Sequence, residues 1–345
     1  MRLQQLLGIE LPIIQAPMAG VQKSALTIAV SNAGGLGSLP CALLSAEEIS
    51  RELHTIRDQS ARPFSVNFFC HEPPMPDESK ASAWLSQFSA YYAELGIPQP
   101  AAPSAPTRMP INKEMAELIC EFEPSVVSFH FGLPSQEIMD IVHRCGAKII
   151  SSATTVEEAL WLESHGADAI IAQGVEAGGH RGMFLSEDIS TQVGTFALVP
   201  QVVQAVKVPV IAAGGIADAR GVKAAMTLGA SGVQVGTAYL LCPEAATSAV
   251  HRAALKGEWS EVTALTNIYS GRPARAMFNR MMKELGPINP LAPTFPLASI
   301  ASAPLRAKAE SMGSDAFSPL WAGQNTSGCK EVSAATLTRE LAELL

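Results

Sequence analysis

The chain is 345 residues long, 48% hydrophobic and only 16% charged, against roughly 25% charged in an average soluble protein. Its net charge of −8 and pI of about 5.4, with no basic run and no Lys or Arg interleaved with aromatics, argue against nucleic acid and anionic membrane as partners. So few charges call for a large core and for strands covered on both faces, a property of parallel sheets.

In chain order, the first stretch, MRLQQLLGIELPIIQAPM, interrupts its apolar run with Glu10 and Pro12. It has neither the apolar region nor the small-residue cleavage site of a signal peptide. Short apolar runs then alternate with amphipathic stretches. The pattern predicts strands over 13–18, 36–40, 64–69, 126–131, 148–152, 169–173, 209–213 and 232–236. Helices are predicted over 24–32, 46–58, 135–145, 156–165, 195–206 and 218–228. Strand and helix alternating in this way predict an α/β fold, a parallel sheet closed into a (βα)8 TIM barrel. An open doubly wound sheet usually has fewer units and a GxGxxG turn after an early strand, whereas Ala33-Gly34-Gly35-Leu36-Gly37 has another spacing. No apolar run approaches the ~18 residues of a membrane span; the longest candidate, 202–216, is broken by Lys207 and Pro209.

Two segments break the rhythm. Residues 71–110 are rich in Pro, Ala and Ser, and 242–324 holds a helix-like stretch at 244–255, then Arg- and Met-bearing sequence, then Pro-rich sequence to Pro304. Together they are expected to form a smaller, mostly helical lobe over the barrel mouth. The barrel itself is expected from 1–70, 111–241 and 325–345, its tail from 331 being an amphipathic helix docked back on it. Six cysteines (Cys41, Cys70, Cys120, Cys145, Cys242 and Cys329) lie without CxxC spacing. That suits neither a disulfide framework nor a zinc site, and implies reduced thiols and a cytoplasmic protein.

In such a barrel the chemistry sits at the C-terminal strand ends. These ends carry Pro17 and Met18, Asn67, His130, Ser152, Gln173, Gly214 and Gly215, and Gly236 and Thr237. Glycines at the last two ends let backbone N–H groups approach a phosphate closely. Ordinary tight turns with Asp218 as an N-cap would use the same residues, but the two turns together favour phosphate. That does not separate a flavin from a phosphorylated sugar. The loop Gln173-Gly174-Val175-Glu176-Ala177-Gly178-Gly179-His180-Arg181-Gly182 packs glycines around His180, which suits backbone lying along a planar ring and an imidazole working near neutral pH. His130 alternates with apolar residues on its strand and reads equally as a satisfied core histidine or a substrate contact. Glu176 reads as a solvated loop carboxylate before a general acid. No HExxH, paired Cys/His set or carboxylate cluster points to a metal, and neither a P-loop nor a GxSxG elbow is present.

The segments PIIQAPMAG, VNFF, SFHFG, AQGVEAGGHRG, VIAAGGIADARG, VQVGTAYL and SPLWAGQN together resemble the nitronate monooxygenases, closest to class I, over nearly the whole chain. PIIQAPM and VIAAGGI are shared more widely, with flavin-dependent enoyl and quinone reductases; AGGHRG combined with QVGT is more specific. The resemblance implies FMN bound near Met18, Asn67, Gln173, Gly178, Gly179, Gly215, Gln234, Val235, Gly236 and Thr237, with Gln324 approaching from the tail. It implies His180 as the catalytic residue and His130 as a substrate contact. The implied reaction oxidises an alkyl nitronate, or a nitroalkane deprotonated by His180, with O2 to a carbonyl compound and nitrite, without NAD(P)H. A homo-oligomer is compatible with the sequence. Tyrosines are only Tyr91, Tyr92, Tyr239 and Tyr269, whereas class I relatives line the pocket with several, so a differently shaped pocket is expected.

Two other functions remain open at this point. One is an FMN reductase taking hydride from NAD(P)H. The other is a flavin-less barrel acting on a phosphorylated metabolite, which would usually place a Lys at a strand end; Lys148 and Lys207 fall at strand starts or helix ends instead.

Overall fold

A computed structural model describes residues 2–75, 77–100 and 109–345. Part of the Pro- and Ala-rich stretch expected in the insertion, 101–108, lies outside the described residues. The strands are β1 (Ile13–Gln15), β2 (Gly37–Pro40), β3 (Phe64–Phe69), β4 (Val126–His130), β5 (Lys148–Ala153), β6 (Ala169–Gln173), β7 (Gly179–His180), β8 (Val210–Ala213), β9 (Gly232–Val235), β10 (Thr263–Thr266) and β11 (Ala274–Met277).

Eight of them pair in parallel in the order β1-β9-β8-β6-β5-β4-β3-β2. A parallel bridge between Ile14 and Leu36 brings β1 against β2 and nearly closes the ring. Helices fill the crossovers at the predicted positions, among them Ser24–Asn32, Val156–Ser164 and Thr195–Ala205. The helix Ala46–Gln59 starts with a capping box in which the Ser45 hydroxyl accepts from Glu48 N–H and the Glu48 carboxylate accepts from Ser45 N–H.

Side-chain alternation along the strands divides them between two cores. Ile14, Val126, Ile150, Ala169, Ile171, Ile211 and Ala213 pack together with Leu3 and Leu7 of the helix Leu3–Leu7. Ile13, Ile170, Ala172, Val210, Ala212 and Val233 pack instead with the outer helices. Gln173 follows Ala169 and Ile171 in parity, so the alternation that buries those two carries its amide to the barrel mouth. The tail helix Ala334–Leu341 buries Leu337 and Leu341 in the outer core with Leu26 and Val30, and Thr338 Oγ1 meets Tyr239 OH at 2.9 Å.

The inserted segments share one apolar core. Trp84, Phe88, Tyr91 and Tyr92 pack with Ile268, Tyr269, Met281, Met282, Leu305 and Phe317. This region is mostly helical, with Glu78–Ser86, Ser89–Leu95, Ala249–Leu255, Arg280–Leu285 and Ser299–Ser311, and β10, β11 and β7 add a three-stranded antiparallel sheet. β7 is the Gly179-His180 dipeptide of the barrel's own loop, which no periodicity marks as a strand. The helix expected from 244 starts only at Ala249, capped by Ser248.

The cysteine expectation also needs correction. Cys120 and Cys145 form a disulfide, their Cα atoms 5.4 Å apart. They lie 25 residues apart, at the ends of the neighbouring helices Lys113–Cys120 and Gln136–Arg144, so only tertiary packing brings them together. Among the described residues no helix is long and apolar enough to cross a membrane.

Candidate active site

The strand ends open into a cavity lined by Met18, Asn67, His130, Ser152, Gln173, Gly178, Gly179, His180, Gly215, Gln234, Val235, Gly236 and Thr237. Of the residues expected at the site, Gln324 is the exception. It is exposed and absent from the lining, and its backbone N–H donates to Glu176 O (2.9 Å). Its neighbours Gly323 and Asn325 form that wall, and Asn325 Nδ2 donates to Gly215 O at 3.0 Å.

At one end the wall is backbone. Gly215 follows β8 with φ +72°, in the left-handed region that favours glycine. Gly178 has a different reason: a Cβ there would lie 2.5 Å from Gly323 N, so only glycine lets the tail cross the loop after β6. Glu176 is a half-buried loop carboxylate with a structural partner. Its carboxylate accepts from both the N–H and the hydroxyl of Thr195, each at 2.8 Å, and so fixes the start of the helix Thr195–Ala205.

On the β1 side, buried amides hold the loop that carries Met18. Gln22 Oε1 accepts from Met18 N–H (2.8 Å) and Gln15 Nε2 (2.7 Å), and Gln15 Oε1 accepts from Ser38 N–H (3.1 Å). Asn67 Nδ2 donates to Ser128 Oγ (2.9 Å) and Ser128 O (3.2 Å). The Asn67 amide therefore presents its oxygen, an acceptor, to whatever fills the cavity.

The other end is built from side chains. β7 pairs with β11, His180 opposite Ala274, so the small sheet holds the imidazole in place. His180 Nε2 lies 2.9 Å from Ser270 Oγ. Phe295 and Trp321 surround the ring at centroid distances of 5.3 Å each, Phe131 at 6.0 Å and Phe69 at 6.2 Å. The carbonyl of His180 accepts from Gln173 Nε2 (3.0 Å) and His130 Nε2 (3.1 Å), while Gln173 Oε1 accepts from Gly182 N–H (2.7 Å).

His130 thus lines the cavity with both ring nitrogens engaged. A carbonyl only accepts, so the proton sits on Nε2, and Nδ1 accepts from Ser152 Oγ (3.1 Å). Burial is the main cause that pushes this histidine down to about 4. The His180 carbonyl works against it, and Arg272 and Arg181 add repulsion. At neutral pH it is a neutral support for the backbone of His180.

Arg181 is fully buried beside the catalytic candidate. Its guanidinium donates to Gln173 O (2.7 Å), Gly174 O (2.8 Å) and Gln192 Oε1 (2.7 Å). Burial, then Arg275, lowers its pKa, and Glu176 and Glu158 offset the shift. Arg272 stacks its guanidinium 4.0 Å from the centroid of Phe131, whose own φ is +71°.

Sequence reasoning missed Ser270, Arg181, Phe69 and Trp321. Arg181 was in view within the AGGHRG loop, where a charge between glycines at a strand end was the available signal. Phe69 and Trp321 were in view within the VNFF and SPLWAGQN segments without being singled out, while Ser270 sits far from His180 in the chain and carries no motif. Among the described residues no three His, Cys, Asp or Glu side chains are grouped to hold a metal.

A family model described as nitronate monooxygenase matches residues 1–343. The chain is 42% identical to the nitronate monooxygenase of Pseudomonas aeruginosa, over 100% of this chain and 99% of that one. It is 41% identical to the nitronate monooxygenase of Paraburkholderia phytofirmans, over 97% and 92% of the two chains. The solved structure of nitroalkane oxidase from Streptomyces ansochromogenes superposes with a TM-score of 0.87 at 36% identity, covering 99% of this chain and 97% of that one.

Proposed function

Because the chain belongs to the nitronate monooxygenase family, we propose that this flavin-dependent oxidoreductase uses FMN and O2 to convert alkyl nitronates, and neutral nitroalkanes, to a carbonyl compound and nitrite. The observation that carries the reading is one cavity with a backbone-lined glycine end and, at its other end, His180 among aromatic rings. A wall poor in side chains suits a phosphate, and a wall of amides and rings suits a flat heterocycle.

In this reading Gly215, Gln234, Val235, Gly236 and Thr237 hold the phosphate end of FMN. Met18, Asn67, Gln173, Gly178 and Gly179 lie toward its ring, Asn67 offering an acceptor. The redox chemistry, electron transfer from the nitronate and onward to O2, is what FMN supplies when bound. The protein's own task is orientation and proton transfer. A neutral nitroalkane must lose its α-proton, and the imidazole of His180 takes it. Ser270 fixes the angle of that imidazole, while His130 and Gln173 fix its backbone. A nitronate arrives already deprotonated and needs only to be held. The rings of Phe69 and Trp321 exclude water from the reacting end.

The test is twofold. Flavin released by denaturing the purified protein is identified by chromatography, and nitrite and O2 uptake are followed with an alkyl nitronate. FMN together with nitrite formation supports the reading. NADH-driven O2 uptake without nitrite would favour the reductase reading, which the shared PIIQAPM and VIAAGGI segments keep as the second choice.

A further inference from the structure

The cavity is lined without a charged side chain. Among the described residues no Asp, Glu, Lys or Arg belongs to its wall. We propose that the site selects nitronates whose substituent is uncharged and apolar, against those carrying a second anionic group, and that Phe69 is the residue that sets this preference. The inference rests on the nitronate reading above and narrows its substrate class.

Charged groups do stand nearby, each engaged elsewhere. The Arg181 guanidinium is held by Gln173 O, Gly174 O and Gln192. Arg275 donates to Val175 O (2.8 Å) and Thr263 Oγ1 (3.1 Å). Arg272 donates to Met183 O and stacks on Phe131. The Glu176 carboxylate is held by Thr195. His130 and His251 line the cavity, but burial, the largest cause, lowers both to about 4, so neither brings a cation at neutral pH. His180 is taken by the reacting group. A carboxylate at the other end of a substrate would be desolvated here with no cation to meet it, which is strongly unfavourable.

Phe69 is placed to enforce this choice. It closes β3 two residues after Asn67, so strand alternation carries its ring to the same face as that cavity-lining amide. Phe69 lines the cavity and is only half-buried, which leaves surface for a ligand to cover. Its ring is fixed by Phe131 at 5.0 Å, Phe295 at 5.9 Å, His130 at 6.1 Å and His180 at 6.2 Å between centroids. The contact with His180 sets Phe69 beside the group assigned to the α-proton, where the substituent on that carbon must lie. Trp321, also half-buried and 5.3 Å from His180, extends the apolar wall. Tyrosine hydroxyls, which could have met an anion, are absent from the lining. Those of Tyr92, Tyr239 and Tyr269 are bound to Ala301 O, Thr338 Oγ1 and Asn279 Oδ1.

The experiment gives the holoenzyme the nitronates of 3-methyl-1-nitrobutane and 3-nitropropanoate, which match atom for atom except that an isopropyl group replaces a carboxylate. Wild type is expected to favour the first by on the order of a hundredfold in kcat/KM. Phe69→Leu keeps an apolar wall and should hold that ratio within about threefold. Phe69→Asn brings a polar group and water to the wall and should cut the ratio about tenfold, with FMN affinity within about threefold of wild type. Binding is read separately by calorimetry with 4-methylpentanoate and succinate, a carboxylate standing in for the planar nitronate. The first should bind at least about tenfold tighter. Equal kcat/KM for the two nitronates, an unchanged ratio in Phe69→Asn, or succinate binding as tightly as 4-methylpentanoate would each overturn the proposal. The wild-type comparisons need no variant to fold. Failure of wild type to oxidise either nitronate would sink the functional reading separately, and the calorimetry would still judge the wall.

Discussion

The two ends of the cavity are made by different means. The glycine end is backbone, drawn from two consecutive βα turns, and its shape follows from what is absent: Gly215 and Gly236 carry no side chain into the space. The histidine end is a convergence of Phe69, His130, His180, Ser270, Phe295 and Trp321, spread over more than half of the chain. The first kind of site survives as a local motif. The second exists only once the lobe sheet has docked β7 against β11.

The sharpest way to break this comparison is to put a side chain where the glycine end has none. Gly236→Glu adds bulk beside Ala16 Cβ and Met18 Sδ and a negative charge where the phosphate is assigned. FMN affinity measured on the flavin-stripped protein should fall by on the order of a thousandfold or more. Normal FMN content would refute the assignment of that end.

At the opposite end the effect should be on chemistry alone. His180→Asn should keep its FMN and lose about 10²- to 10⁴-fold in kcat with neutral nitroalkanes, the usual contribution of a positioned base. Nitronates should suffer far less, and equal loss on both substrates would remove the proton-transfer role.

Arg181→Met tests the hinge between the two ends. It leaves the carbonyl of Gln173 without its buried donor, at about 1–3 kcal/mol, while that of Gly174 keeps Ala177 N–H (3.0 Å). The melting temperature should drop, and nitroalkane turnover should fall more than FMN affinity. An undiminished melting temperature would show that the loop holds without the guanidinium.

Much of this layout was legible in the sequence, and for definite reasons. The strands β1 to β6, β8 and β9 lie within the predicted spans or exceed them by one residue, because each is a short apolar run bounded by Gly, Pro or polar turns. The expected site residues other than Gln324 all line the cavity, since barrel topology alone delivers strand ends to one mouth. What escaped had no local signature. β7 is two residues long and owes its strand character to a partner nearly a hundred residues away. The hydroxyl of Ser270 finds Nε2 of His180 across a similar distance. Cys120 and Cys145 meet through helix packing, and no local pattern tells that the cavity takes Gly323 and Asn325 from the tail and leaves Gln324 exposed.

A gentler probe of the histidine end is Ser270→Ala. Removing one hydrogen bond of about 0.5–1.5 kcal/mol should lower nitroalkane kcat about three- to tenfold and displace its pH–rate profile, with FMN affinity unchanged. An unmoved profile would mean that Ser270 does not tune the imidazole.

A separate effect is expected on acid stability. His130 and His251 are lowered from 6.5 to about 4 in the folded protein. Between those values the unfolded chain binds protons that the folded one refuses. Stability is therefore expected to fall as pH drops from about 6.5 toward 4, with no contribution from these groups above that window. Thermal melts of wild type and His251→Leu across that range check it, the variant losing less stability on acidification. Identical pH slopes would contradict the buried neutral state of His251.

The most direct test of the central claim is an anaerobic absorbance spectrum of the purified protein, recorded before and after adding an alkyl nitronate and, separately, NADH. The account predicts a flavin spectrum that bleaches with the nitronate and stays unchanged with NADH. Bleaching by NADH and not by the nitronate would contradict it and move the protein to the reductases.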